Sequence, residues 1–461
     1  MESAYKLALW IGTFGFLKEF RPEDPYITQY LVGPVMNLSK EQVNEEVFPI
    51  ATYVSTSQLI LVFLLTDWLL YKPVVLVNAL SGVISQAILI WGRGLKWMQV
   101  MEIFYGTMIA CEVAYYTYIY AKVEKQHFQL VTSFMRAACL CGRFLSSISA
   151  QIFLLTGIMT IATLNHLTFG GMMCAFLWAL TLPPVKHSLY FHRQKSAPKD
   201  GAVDLELDRS EEPVSTLEGD VVESSKSAFE HLWFDFKFAY RNPYVLKWSL
   251  WWSLATCGYN QVTSYNQLLW EEVQSDGAYF NGAVEAVYTI ISAGASVSIG
   301  YLVLDWSEWG ELLLGICTLL EGFFLIGSSF ATSILPCYFA YVAFGMLYHV
   351  MMTISNSEVA KHIRPDSYAL IFGVNQYIAL CLQSLLTYVV ADKLALKSRP
   401  QFIVYGSYFI ILGFIFFINL SIAKVSKSGI GKIIRFRNIN LVSLIDFNFC
   451  LLIVNVRVDK R

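Results

Sequence analysis

Long apolar stretches alternate with short polar interruptions along nearly the whole chain. They fall near residues 5–20, 48–71, 73–92, 98–121, 128–155 and 163–184, and again near 243–270, 280–304, 309–331, 334–357, 366–391 and 401–423. At roughly 20 residues per crossing, the pattern predicts about twelve membrane-spanning helices in two sets of six. The polar, acidic stretch 195–227 between the sets has few aromatics and predicts a disordered linker. After it Phe229, Leu232, Trp233 and Phe236 recur at helical spacing, which predicts a short amphipathic helix on the membrane surface. The chain thus divides into a first half (1–184), a linker with the amphipathic helix (185–242), a second half (243–423) and a tail (424–461). The tail's apolar run is short for a span and carries Asp446.

Basic residues orient the helices. Lys72, Lys122, Lys125, Lys186, Arg193, Lys195, Lys361, Arg364, Lys424 and Lys427 fall on one side with both termini, which makes that side cytoplasmic. The loop before the last span, with Lys393, Lys397 and Arg399, is an exception. The sequon Asn37-Leu38-Ser39 lies in the acidic first loop, on the side this orientation places outside, so Asn37 is the expected glycosylation site. The apolar start LALWIGTFGF runs straight into Lys18, Glu19 and Arg21 and reads as an uncleaved first span.

Composition agrees with this picture: 461 residues, 56% hydrophobic and only 15% charged. The scattered cysteines lie mostly in apolar stretches and read as small core residues. No phosphate-binding loop, no HExxH and no G-x-S-x-G elbow is present, so an ATP-driven pump or a recognisable hydrolase is disfavoured. No cofactor, metal or nucleic acid is expected.

The candidate chemistry is a set of intramembrane polar groups. Glu112 sits near the middle of an apolar stretch, with Tyr115, Tyr116 and Tyr120 following at helical spacing on one face. One acid beside phenol rings suits an organic cation, through charge pairing and cation–π contact; its bland alternative is a structural acid paired with an arginine. Arg136 and Arg143 share a face of the fifth helix. Arg136 reads as structural, and Arg143 as a partner of Glu112 or an anion ligand. Asn260, Gln261, Ser264, Tyr265, Asn266 and Gln267 form a polar cluster that serves equally well as packing glue. Glu285 lies inside NGAVEAVY, or at the surface if that span starts later. TDWLLYKP and LDWSEWGE place Asp67 and Asp305 alike in the two halves, as expected of gating or structural acids in a duplicated transporter.

Taken together, EFRPEDPYITQYL, LLTDWLLYKPVVL, MQVMEIFYGTMIACEVAYYTYIY, KWSLWWSLATCGYNQV, YFNGAVEAV and QFIVYGSYF resemble the reduced folate and thiamine carrier family, over the chain to about Ala423. The resemblance implies an all-α, twelve-helix fold of the major facilitator type, a plasma-membrane location and carriage of a B vitamin by a chain that suffices as a monomer. Folate-type members look cationic where this chain has Glu112, Gln383 and Gly345. Thiamine-type members match Glu112, Tyr115 and Glu285. The implied substrate set is therefore Glu112, Tyr115, Phe48, Asp24, Glu285, Asn266, Tyr405 and Arg143. This chain departs from the thiamine pattern at Ala51, where a tryptophan is usual, and at Arg143, where a tyrosine is usual. The expected function is secondary-active import of thiamine by alternating access; rival readings are a folate carrier using Arg143 and a vitamin sensor that binds without transporting.

Overall fold

A bilayer offers no water to an unpaired backbone group, so an apolar segment closes its hydrogen bonds internally as a helix. A computed structural model describes residues 2–118, 128–185, 228–274, 280–301, 306–364 and 367–427. Helices cover every apolar stretch: α1 (Glu2–Glu19), α2 (Phe48–Trp68), α3 (Lys72–Trp91), α4 (Leu95–Tyr118), α5 (Phe128–Leu155), α6 (Ile161–Thr181), α7 (Pro243–Val273), α8 (Asn281–Tyr301), α9 (Trp306–Ser329), α10 (Ile334–His362), α11 (Tyr368–Thr387) and α12 (Ser398–Lys427). No strand occurs among the described residues. By length and composition, eight of the helices are apolar enough to cross a membrane. The remaining four, α1, α4, α7 and α8, are those that carry Lys18, Glu19, Glu112, Asn266 and Glu285. Helices that face one another around polar groups need less apolar surface than helices that face lipid.

The packing pattern repeats with an offset of six helices. In the first set α1 packs on α5 and α6, α2 on α4, and α3 on α4 and α6. In the second, α7 packs on α11 and α12, α8 on α10, and α9 on α10 and α12. The sets meet in the same symmetric way, α2 against α11 and α8 against α5. This arrangement carries the repeat farther than the two Asp-Trp segments do. Asp67 is buried at the end of α2 and accepts a hydrogen bond from Tyr71 at 2.7 Å. Asp305 lies outside the described residues, as do Tyr120, the stretch 195–227 and the tail beyond Lys427.

Segment 20–47, expected as an exterior loop, is instead folded into short turns at Asp24–Tyr26, Ile27–Val32, Lys40–Gln42 and Val43–Val47. Tyr26, Leu31, Val43 and Val47 are fully buried there. The segment wedges between the helix sets. Tyr26 Oη donates to Gln151 at 2.8 Å and accepts from the Gly282 amide at 3.0 Å. Asn281 donates to the Pro25 carbonyl at 2.9 Å, and Gln401 to Asn44 at 2.8 Å. At the same end Tyr53 donates to Asp392 at 2.5 Å, and the Thr56 and Ser384 hydroxyls lie 2.7 Å apart. These bonds all join the sets at the end where α1 and α7 finish and α2 and α8 begin.

The amphipathic segment is a helix, Ala228–Arg241, with Trp233, Phe234 and Phe238 exposed. Arg364 lies over the rings of Phe234 and Phe238, at 5.2 and 4.8 Å from their centroids. Asn37 is exposed with a left-handed backbone (φ 53°), a conformation asparagine tolerates. Cys111, Cys139, Cys257, Cys317 and Cys337 are buried as expected of small core residues, whereas Cys141 and Cys174 are exposed on the bundle surface.

Candidate functional site

Close approach of α1 and α5 builds the first part of the site. A Cβ on Gly142 would lie 2.4 Å from the Phe16 carbonyl oxygen, so only glycine lets the two backbones meet here. The next residue, Arg143, thereby reaches the end of α1, where its Nη2 lies 2.9 Å from Glu19 Oε2. Glu19 is buried and also faces Lys18 (3.2 Å) and Arg21 (3.6 Å). Arg21 continues the chain of charges to Asp24 at 3.0 Å.

Glu112 enters this network through Lys18, with Nζ 2.5 Å from Oε1. The expected pairing of Glu112 with Arg143 is thus replaced: each takes its partner from α1. Lys18 is buried and its ammonium sits 5.3 Å from the centroid of Tyr115, a cation–π contact. Tyr115 itself is fully buried in the packing of α1 on α5, beside Phe14 and with its hydroxyl 3.4 Å from Cys139 Sγ. Tyr116, one turn beyond Glu112, is 40% exposed and lies edge-on to Tyr115. The ring available for stacking next to the acid is therefore that of Tyr116. Arg136 is exposed.

The second part lies on α7, α8 and α10. Tyr341, Phe344 and Tyr348 share a face of α10 at three- and four-residue steps. Tyr259 of α7 stacks on Tyr348 with centroids 3.9 Å apart and an interplanar angle of 7°. Its hydroxyl is 2.6 Å from that of Tyr288, which in turn meets His349 Nε2 at 2.7 Å. Glu285, half-buried one turn before Tyr288, accepts from Tyr341 at 2.7 Å. Arg143 is within electrostatic reach of Tyr259, Tyr288 and Glu285, so the two parts face a common region.

The other expected site residues lie elsewhere. Phe48 is half-buried, edge-on to Tyr265 at 6.1 Å. Tyr405 is fully buried, accepting from Gln261 at 3.0 Å and donating to Gln401 at 3.3 Å, a packing contact between α7 and α12. Asn266 is buried, accepts from the Gln267 amide and lines a cavity of about 10 Å³, room for a water but not a vitamin. Gln267 bonds segment 20–47 through Asp24 O (2.7 Å) and the Thr28 amide (3.2 Å), which makes it glue rather than a ligand. Asp24 keeps substantial exposure at the edge of the charge network. In the same segment, burial first and the neighbouring Asp24 second push the Glu23 carboxyl up to about 8. Gln86 donates to it at 2.5 Å, and Thr168 also donates.

Residues 2–404 match the family model described as reduced folate carrier. The chain belongs to the reduced folate carrier family. It is 37% identical over 444 residues to thiamine transporter 1 of Mus musculus, covering 90% of this chain and 89% of the relative. It is 35% identical to folate transporter 1 of Caenorhabditis elegans, with 90% and 92% covered. A solved structure of a POT family transporter in complex with a thioalcohol-conjugated peptide superposes with a TM-score of 0.62 at 13% identity, over 89% of this chain and 95% of that one. The fold is thus all-α of the major facilitator type, and the protein is a vitamin carrier of the membrane rather than an enzyme.

Within this family, position 345 acquires a physical meaning. A Cβ on Gly345 would fall 1.9 Å from a carbon of the Tyr288 ring. The ring occupies the space that any side chain at this position would need. Ala51 is buried, with its carbonyl against Gly106 of α4, where a tight helix crossing replaces the bulk of a tryptophan. Gln383 is buried in α11. Sequence reading missed the roles of Lys18 and Glu19, whose only signal was a charged run at the end of a span. It also missed the tyrosine wall, although the spacing of Tyr341, Phe344 and Tyr348 was available.

Proposed function

We propose that this carrier imports thiamine across the plasma membrane by alternating access, with the two six-helix sets rocking about the region between Glu112 and Glu285. The observation that carries the reading is the packing of the Tyr288 ring on Gly345. It puts an aromatic wall and an acid where a dianion carrier of this family would place a cation. Charge balance supports the same choice. Lys18, Arg21 and Arg143 offset Glu19, Asp24 and Glu112, three against three, while Glu285 has a tyrosine partner. With Glu285 ionised the region is one charge negative, and a monovalent organic cation makes it neutral. Glu112 would pair with the cation, Tyr116 and the wall of Tyr259 and Tyr288 would stack on its rings, and Glu285 would approach its polar groups.

The relatives include thiamine transporter 1 and thiamine transporter 2, and that likeness supports thiamine. The half-exposed Arg143 and the 35% identity to a folate transporter favour a second reading, a folate carrier that uses Arg143 as anion ligand. Twelve crossings with both termini cytoplasmic, and glycosylation at Asn37 outside, complete the proposed topology. The bonds that join the sets then lie at the extracellular end, the closed end of this conformation. The test is uptake of labelled thiamine by Glu112→Gln at matched surface expression. Uptake is expected to collapse; uptake equal to wild type would remove Glu112 from the site.

A further inference from the structure

The Lys18 ammonium already does what the proposed substrate would do. It is a buried primary ammonium, 2.5 Å from Glu112 and 5.3 Å from the Tyr115 centroid, in the place where an incoming cation would find its acid. We propose that Lys18 is a tethered counter-cation that competes with the substrate for Glu112, and so sets affinity and speeds release. This rests on the thiamine reading and adds a residue to it.

The geometry supplies both of the states that such a competitor needs. In the structure Lys18 bridges two acids, Glu112 at 2.5 Å and Glu19 at 3.2 Å. When an organic cation takes Glu112, Lys18 loses one partner and keeps the other, so no buried ammonium is stranded. Glu19 stays beside it at 3.2 Å, shared with Arg143 and Arg21, while Asp24 takes part of the charge of Arg21. Glu112 is the more open member of the pair: its side chain is 32% exposed and that of Lys18 is 5%. A cation arriving from the central region therefore meets the carboxylate before the lysine. In the empty carrier Lys18 keeps Glu112 from standing as an uncompensated charge, which lets the helices move without substrate. A dianion gains nothing from this exchange, because the acid it would meet repels it.

The competition predicts an order of affinities that a purely structural lysine does not. Lys18→Gln removes the competing charge but can still hydrogen-bond Glu112; Lys18→Arg keeps the charge and can grip the carboxylate with two donors. Thiamine binding to the purified carrier in detergent is measured for wild type, both variants and the double variant Lys18→Gln/Glu112→Gln. Lys18→Gln is expected to bind thiamine about tenfold more tightly than wild type, equivalent to ~1.4 kcal/mol. Lys18→Arg is expected to bind more weakly than wild type, and the gain from Lys18→Gln should vanish in the double variant. In proteoliposomes Lys18→Gln should lower KM and slow maximal uptake together. If wild type binds thiamine but Lys18→Gln binds it equally or less tightly while Lys18→Arg matches wild type, the lysine is structural and the proposal fails alone. If Lys18→Gln does not fold, the Lys18→Arg result decides: affinity equal to wild type overturns the competition. Absence of thiamine binding by wild type overturns the thiamine reading and this proposal with it.

Discussion

The two sides of the central region solve the problem of intramembrane polarity in opposite ways. Around the inner ends of α1, α4 and α5 the acids are paired with bases: Glu112 with Lys18, Glu19 with Arg143, and Asp24 of the neighbouring segment with Arg21. On α7, α8 and α10 one acid, Glu285, is held by a phenol in a wall of tyrosines that ends at His349. Ionic pairing makes the first side costly to break, because removing a charge outright unbalances a shared buried network. Hydrogen bonds from uncharged phenols make the second side cheaper to rearrange and suited to stacking. A carrier needs both, a firm anchor for charge and a surface that can close on a ring system.

The largest effect should come from breaking the ionic side. Glu112→Gln removes the acid that pairs with the substrate cation, and losing one member of such a pair typically costs 2–5 kcal/mol. Thiamine uptake should fall by about 30-fold or more, measured at matched surface expression. Overfilling the tyrosine side comes next. Gly345→Ala forces the Tyr288 ring off α10, with a cost of about 1–3 kcal/mol for a packed interior. A lower Tm in detergent and a several-fold loss of uptake are expected. An unchanged Tm would mean that the ring has room to move and that the glycine does not protect it.

Tyr341→Phe sharpens the contrast, since it removes from Glu285 one phenol hydrogen bond worth about 1–3 kcal/mol. KM should rise by about fivefold while Glu112-dependent uptake persists. An effect as large as that of Glu112→Gln would erase the distinction between the sides. The smallest effect on uptake should be that of Glu23→Gln. The Glu23 carboxyl is pushed up to about 8 by burial and Asp24, so the folded protein holds a proton there that the unfolded chain has lost. Its contribution therefore lowers stability as pH rises from about 4.5 to about 8. Glutamine mimics the protonated acid, so Glu23→Gln should leave Tm unchanged near pH 5 and raise it relative to wild type near pH 8. Parallel Tm curves for the two proteins across that range would show that Glu23 does not titrate between them.

The helices were legible because lipid imposes one requirement on every span, and the helices observed begin and end within a few residues of the apolar stretches. Segment 20–47 was not. Tyr26, Asn44 and Lys40 find their partners on Gln151, Gln401 and Glu271, more than 120 residues away in sequence, and no local pattern marks a loop held by distant amides. The same distance hid the partner of Glu112. Position in a span showed that this acid needed a counter-charge, and Arg143 was the candidate the sequence offered, yet helix packing gives Arg143 to Glu19 and Lys18 to Glu112. Tyr115 and Tyr116 differ by one residue, and a turn of about 100° separates a core ring from an exposed one.

The central claim is that this carrier moves an organic cation, thiamine, and not a dianion. Uptake of labelled thiamine into proteoliposomes, competed with unlabelled thiamine, folate and pyridoxine, tests it most directly. The account predicts uptake that unlabelled thiamine abolishes and folate leaves intact. Thiamine binding without uptake, or labelled folate entering in its place, would contradict it.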